Sequence, residues 1–364
     1  MELKYKNMSN YIEYKDKVAF HPGYYIKELV EESGLTQEDF AKRLDTTPKN
    51  LSILVRGEQS LSIDIAMKLS RISGTTISYW LNLQKAYDAL IAEFESEKEL
   101  EKEKEIFNFL DYKYFKTNFG LKDCQGNKKD QIIKVREFLG VSTLSVLEKK
   151  NMAVSFRSKD SISESGTIKA NAMVQIATNL ALEKKTPKYN KRKFEEAVKY
   201  ALTQTTNYKG FYKNIEKAFN EAGVSLVVLP NIPGSNTNGA TKKIGDRVML
   251  MVNDRRLSLD SFWFTLFHEI GHVMNSDFGV SFEKEKGEQE ERADRYARDM
   301  LIPNSDYIVF CDNKKYDVES IKSFANEIDR DPGIVLGRLQ KDRKVAYTNK
   351  RLNILHQKFR AGQL

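Results

Sequence analysis

The sequence predicts an α+β fold, mostly helical: an all-α N-terminal domain built on a helix-turn-helix, then a domain in which a small β-sheet accompanies a histidine-bearing helix. Three observations carry this expectation. Short helical stretches, each with its own start and stop residue, follow one another from His21 to Gly74. Short β-branched runs cluster between Val224 and Val252. The apolar run Phe262-Trp263-Phe264-Thr265-Leu266-Phe267 ends in His268-Glu269-Ile270-Gly271-His272.

Residues 1–20 carry tyrosines and charges without clear periodicity and read as an arm or a short strand. From His21-Pro22-Gly23 the texture changes. Tyr24 to Ser33 places Ile26, Leu29 and Val30 on one side and stops at Gly34. Thr36 caps a second helix to Leu44, with Glu38 and Asp39 in the first turn, where the helix dipole favours acids. Thr47 caps a third, with Pro48 at its first position and Gly57 as its stop. A fourth runs from Ile63 to Ile72 before Gly74.

The second and third helices, joined by Asp45-Thr46, describe a helix-turn-helix, whose second helix enters the major groove of DNA by its N-terminal part. Thr47, Lys49, Asn50 and Ser52 are therefore candidates at or beside base edges, and Gln37 and Arg56 candidates for phosphates. The alternative is a helical adaptor that never meets DNA. Tyr79 to Phe94 offers an apolar helical face. Ser96 to Glu105 alternates acid and base as an exposed helical connector, and Phe109 to Asp130 reads as a loop.

Beyond the connector, helices are expected at Asp130–Leu139, Ser142–Lys149, Asn171–Lys184, Lys191–Thr203 and Lys213–Ala222. The basic start Lys191-Arg192-Lys193 reads as a solvated helix end or as a supplementary patch for DNA or substrate. Val224–Leu229, Gly239–Ile244 and Arg247–Val252 read as strands of one small sheet.

At helical pitch His268 and His272 share a face and can offer ring nitrogens to one metal ion. Glu269, one residue along, reaches the attacking water rather than the metal. That arrangement suits amide hydrolysis with zinc. With 4 His in 364 residues, chance produces it in fewer than about one random chain in a hundred. After the turn-rich Asp277-Phe278-Gly279 and the charged stretch Glu283 to Lys286 comes a helix from Glu288 to Pro303, with Glu290, Asp294, Ala297 and Leu301 on one face. Glu290 is expected as the third ligand and Asp294 as the acid that takes the spare N–H of a liganding histidine, although Asp294 could itself replace Glu290. Two histidines and a carboxylate also suit manganese or iron. The domain is thus expected to be zincin-like. From Asn304 the chain is expected to be helical, including Val318–Asp329 and Asp331–Gln340; His356 reads as a surface residue.

These residues carry two resemblances. The pattern F-W-F-T-L-F-H-E-I-G-H followed by E-x-x-A-D-R-Y-A-x-x-M-L-I-P resembles the ImmA/IrrE family of bacterial metallopeptidases, with Tyr296 and Met300 in place of the usual Phe and Leu. His21-Pro22-Gly23, G-L-T-Q-E-D-F-A-K-R-L and T-P-K-N-L-S-x-L-x-x-G are similar to the HigA-type antitoxin branch of Xre helix-turn-helix proteins, except that Ile53 stands where many relatives place Arg. The resemblances imply zinc as cofactor, a carboxylate ligand on the second helix, a dimer, and a regulatory protein as substrate. The domains expected are 1–95 (DNA binding), 96–129 (connector), 130–305 (peptidase) and 306–364 (helical extension packed on the peptidase).

Charge and composition bound the rest. The formal net charge is +8, yet residues 1–95 hold 12 Lys and Arg against 14 Asp and Glu, so DNA binding there needs a local basic face. Residues 151–220 hold 13 against 6. No apolar run approaches the roughly 18 residues of a membrane span, the N-terminus has no signal layout, and Cys124 and Cys311 lack metal spacing, which together suggest the cytoplasm. The expected function is a DNA-binding transcriptional regulator whose zinc endopeptidase domain cleaves a repressor, a toxin partner or itself. The alternative is a non-proteolytic antitoxin-like repressor whose zinc domain senses a ligand or partner.

Overall fold

The computed structural model describes residues 7–8, 10–149, 163–282 and 287–363, so the expected charged stretch Glu283–Lys286 lies outside the described residues. Two compact units emerge, Met1–Lys102 and Glu103–Leu364.

The first unit opens with an antiparallel meander of β1 (Asn7–Met8), β2 (Tyr11–Tyr14) and β3 (Lys17–Phe20). It continues as α1 (Pro22–Glu32), α2 (Gln37–Arg43), α3 (Pro48–Val55), α4 (Ile63–Ser73) and the first part of α5 (Ile77–Phe107). Local chemistry sets the starts: the hydroxyls of Thr36, Thr47 and Ser62 accept from the backbone N–H of Asp39, Asn50 and Ile65, satisfying donors that a helix start leaves open. The apolar faces then close over one core of Ile26, Phe40, Leu44, Leu51, Leu54 and Trp80. Phe94 of α5 joins Tyr14 and Ala19 of the meander in a second cluster.

The second unit takes in the end of α5, α6 (Tyr112–Phe119), α7 (Lys128–Leu139), a 3-10 turn at Leu144–Glu148, α8 (Glu164–Glu183), α9 (Lys191–Thr203) and α10 (Phe211–Glu221). Then come β4 (Val224–Leu229), β5 (Thr237–Ile244), β6 (Arg247–Asn253), α11 (Leu259–Asn275), β7 (Gly279–Phe282) and α12 (Glu288–Leu301). The last helices are α13 (Asn304–Asp312), α14 (Val318–Glu327) and α15 (Pro332–Lys341).

The sheet has the order β4-β6-β5-β7, with β4 parallel to β6 and β5 antiparallel to both its neighbours. Alternation along β6 sends Val248, Leu250 and Val252 into the core shared with Phe262, Trp263 and Leu266 of α11. Met249 and Met251, also fully buried, point to the other face. A sheet covered on both faces needs such continuous apolar strands. α15 enters the same core through Val335, Leu336 and Leu339.

Several expectations are corrected. The arm is a meander, because β2 and β3 pair from Tyr11–Phe20 to Tyr14–Lys17 around a turn in which Lys15 adopts φ 57°. The presumed loop after Phe109 contains α6, capped by Asp111 and stopped by Gly120. The helix expected at Ser142–Lys149 is a short 3-10 turn, and α8 begins at Glu164 rather than Asn171. The connector is not wholly exposed: Leu100 and Glu103 are buried, and Glu103 Oε1 accepts from the Leu144 N–H at 2.6 Å. The turn at Asp277-Phe278-Gly279 leads directly into β7. His356 is half-buried and hydrogen-bonded at both ring nitrogens.

Candidate metal centre and helix-turn-helix

α11 runs unbroken through the paired histidines, so His268 and His272 stand one turn apart with their rings 4.7 Å between centroids. α12 packs directly against this turn. An added Cβ at Gly271 would lie 3.2 Å from Ala293 Cα and from Tyr296 Cβ, so the small residues on both helices set the close approach. Ala293 and Ala297 are fully buried beside it.

This approach delivers two acids to one imidazole. Asp294 Oδ1 lies 2.8 Å from His268 Nδ1, and Glu290 Oε2 lies 3.0 Å from His268 Nε2. Glu290 Oε1 is 3.2 Å from His272 Nε2, and the two Nε2 atoms are 3.0 Å apart. His268, His272 and Glu290 thus place three possible ligand atoms within 4.8 Å of one another, all buried. With Asp294 accepting the hydrogen bond from Nδ1–H, the Nε2 lone pair of His268 faces a second imidazole nitrogen and a carboxylate. Acceptors converging so closely repel unless a cation or proton lies among them, so the donor set fits a divalent metal.

The electrostatics agree. Burial alone would lower the His268 pKa, but its contacts with Asp294 and Glu290 push it up to about 10 in the metal-free protein. Burial would raise the Glu290 carboxyl, yet hydrogen bonds from His268 and His272 hold it well below the usual carboxylate range. Both shifts report a pocket that favours positive charge between its acids.

Glu269 is fully buried, and neither of its carboxylate oxygens has a hydrogen-bond partner among the described residues. Such a group is costly unless something at the site uses it. β5 reaches it from the side: a Cβ on Gly239 would fall 2.6 Å from Glu269 Cγ and Oε1. Gly239 was not singled out from the sequence as a site residue; a glycine inside a strand is the one signal that marks such close approach.

In the helix-turn-helix, Gln37, Thr47, Lys49 and Arg56 are exposed, whereas Asn50 and Ser52 are half-buried. Thr47 caps α3. The Asn50 amide is spent locally, donating to Thr46 Oγ1 at 2.9 Å and accepting from Gln59 at 3.0 Å. Arg56 donates to Ser52 Oγ at 2.6 Å and pairs with Glu58. Lys49 and Gln37 carry no such contact among the described residues.

Comparisons with known proteins fall on the same two segments. Residues 26–80 match the family described as helix-turn-helix, and residues 222–328 match the family described as the IrrE N-terminal-like domain. Virulence-associated protein I of Dichelobacter nodosus is 36% identical over 76 residues, covering 21% of this chain and 70% of that protein. The uncharacterised HTH-type transcriptional regulator YddM of Escherichia coli (strain K12) is 35% identical over 79 residues, covering 21% of this chain and 84% of that protein. An addiction module antidote protein of a HigA family from Coxiella burnetii has a solved structure, 34% identical, with a TM-score of 0.22, covering 23% of this chain and 92% of that chain. No described helix is long and apolar enough to cross a membrane. The chain therefore belongs to the Xre-type helix-turn-helix family through its N-terminal domain and carries an IrrE/ImmA-like peptidase-family domain in its C-terminal part.

Proposed function

We propose that the protein is a cytoplasmic DNA-binding transcriptional regulator with a zinc-dependent endopeptidase domain that cleaves a regulatory protein: a repressor, a toxin partner or the chain itself. DNA binding is assigned to residues 1–95, a connector to 96–129, the peptidase to 130–305 and a supporting extension to 306–364. His268, His272 and Glu290 are the zinc ligands, and Asp294 fixes the tautomer of His268. Zinc at this point supplies Lewis acidity and a lowered water pKa. Glu269 takes a proton from the attacking water as the C–O bond forms and gives it to the leaving amine nitrogen as the C–N bond breaks.

The observation that carries this reading is the Glu269 carboxylate, buried without a hydrogen-bond partner among the described residues beside three converging metal-donor groups. A purely structural or sensory zinc has no use for such a group. The test incubates the purified protein with candidate partner repressors and toxins, with added zinc and with chelator, against Glu269→Gln. Cleavage by wild type alone, abolished by chelator, is expected; equal product from Glu269→Gln would leave the non-proteolytic sensor as the better reading.

At the other end, Lys49 and Gln37 face solvent, Thr47 and Asn50 shape the start of α3, and Ser52 and Arg56 brace each other. Lys49 reads a base edge and Gln37 and Arg56 meet phosphates of an operator at the protein's own promoter, bound by a homodimer. In a mobility-shift assay on that promoter, Lys49→Ala with Asn50→Ala is expected to weaken binding, and raised salt to weaken it further. Unchanged binding by the double variant removes α3 as the recognition helix.

A further inference from the structure

Beside His268 opens a cleft of about 280 Å³, walled by α11, α12, α15 and the segment that follows it. Its charged groups are unequally engaged. Asp294 and Glu290 contact the histidines, Asp260 lies 2.9 Å from His356 Nδ1, and Asp342 accepts from the Tyr307 hydroxyl at 2.7 Å. Arg338 is also committed: it donates to the Ile302 carbonyl at 2.8 Å and lies 3.8 Å over the Tyr307 ring. Arg298 and Lys341 are exposed and have no side-chain hydrogen bond or ion pair among the described residues, and Arg256 adds a third cation to the lining. Every acid in the wall has a partner, while Arg298 and Lys341 have none among the described residues.

Arg298 follows Asp294 by one helical turn on α12, which places its Cα roughly 6 Å farther along from the acid that touches His268. An extended chain advances about 3.3 Å per residue, so that distance corresponds to about two residues from the metal centre. We propose that this cleft seats a carboxylate of the substrate polypeptide, held by Arg298 and Lys341 beside the bond to be cut. The inference rests on the peptidase reading, and its selectivity follows from charge-assisted hydrogen bonds that a neutral amide of the same shape cannot form. The carboxylate comes from an acidic side chain or from a chain terminus.

The test measures binding apart from catalysis. Fluorescein-labelled decapeptide mixtures carrying a fixed Glu, Gln or Lys at the centre, each as C-terminal acid or amide, are titrated by fluorescence polarisation against zinc-loaded Glu269→Gln protein. The amidated Glu mixture is expected to bind about tenfold more tightly than the amidated Gln mixture. If the preference appears instead between the acid and amide forms of the Gln mixture, the seated group is a chain terminus, and the cleft assignment still stands. Adding Arg298→Glu and Lys341→Glu should abolish the preference and turn it toward Lys; Arg298→Gln and Lys341→Gln should abolish it only. Circular dichroism melts check that the variants remain folded. Equal binding of all mixtures, no binding by any, or a preference that survives charge reversal overturns the proposal. A retained preference in a protein whose wild type cleaves none of the peptides supports the cleft assignment and counts against the peptidase reading alone.

Discussion

His356 shows what burial does to a side chain that spacing alone leaves uninformative. Asp260 Oδ1 lies 2.9 Å from its Nδ1 and Gln340 Oε1 lies 3.1 Å from its Nε2. Gln340 is oriented by donating its amide to Asn353, so both ring nitrogens face acceptors and the doubly protonated ring fits best. The hydrogen bond to Asp260 accordingly raises its pKa, against the opposing effect of burial. A raised folded-state pKa contributes stability that is complete below the unfolded value, about 6.5, and is lost as pH rises through the folded value. His356→Ala is therefore expected to lower the urea midpoint more at pH 5 than at pH 9; equal losses at both pH values would show that the charge contributes nothing. The residues proposed as metal ligands behaved differently at the sequence level. His268, Glu269 and His272 were legible because helical pitch alone brings them together, and Glu290 with Asp294 because a second helix repeats the same spacing. Gly239 and Lys341 were not, since each reaches the site from a separate element, β5 and α15, and Asp260 and Arg298, although on α11 and α12 themselves, gain their place at the site only through what packs against those helices.

At the scale of elements, legibility follows how locally each one is specified. α2, α3 and α4 carry caps within their own sequences, and the hydroxyls expected to cap the first two do so. Thr47→Ala removes the acceptor for the Asn50 N–H and should cost about 1 kcal/mol of stability in the first unit, read as a lower urea midpoint with unchanged slope. No loss would mean that Pro48 alone sets the helix start. β7 had no such local mark. It has four residues beginning with glycine, and its existence depends on pairing with β5, whose own register shifts between Thr237 and Gly239. α6, rich in aromatics that disfavour helix, forms because Tyr114 and Phe115 find a buried place and the Tyr114 hydroxyl donates to the Pro230 carbonyl at 2.7 Å. Tertiary contact overrode propensity in both.

For the whole molecule, division into two compact units predicts two unfolding free energies, each followed by its own signal. The proposed metal ligands all come from α11 and α12, wholly within the second unit. A ligand that binds only the folded state stabilises by mass action, about 2.7 kcal/mol at a free concentration 100 times its Kd. His268, whose pKa is raised in the metal-free protein, would have to lose its extra proton on loading, so binding should release protons and weaken as pH falls. Two calorimetric transitions are expected, and zinc should raise the one belonging to the second unit while the helix-turn-helix transition stays in place. His268→Ala should leave both transitions insensitive to zinc. If chelator and zinc give the same pair of transitions in wild type, the buried cluster of two histidines and a glutamate does not hold the ion, and the charge between them must be a proton.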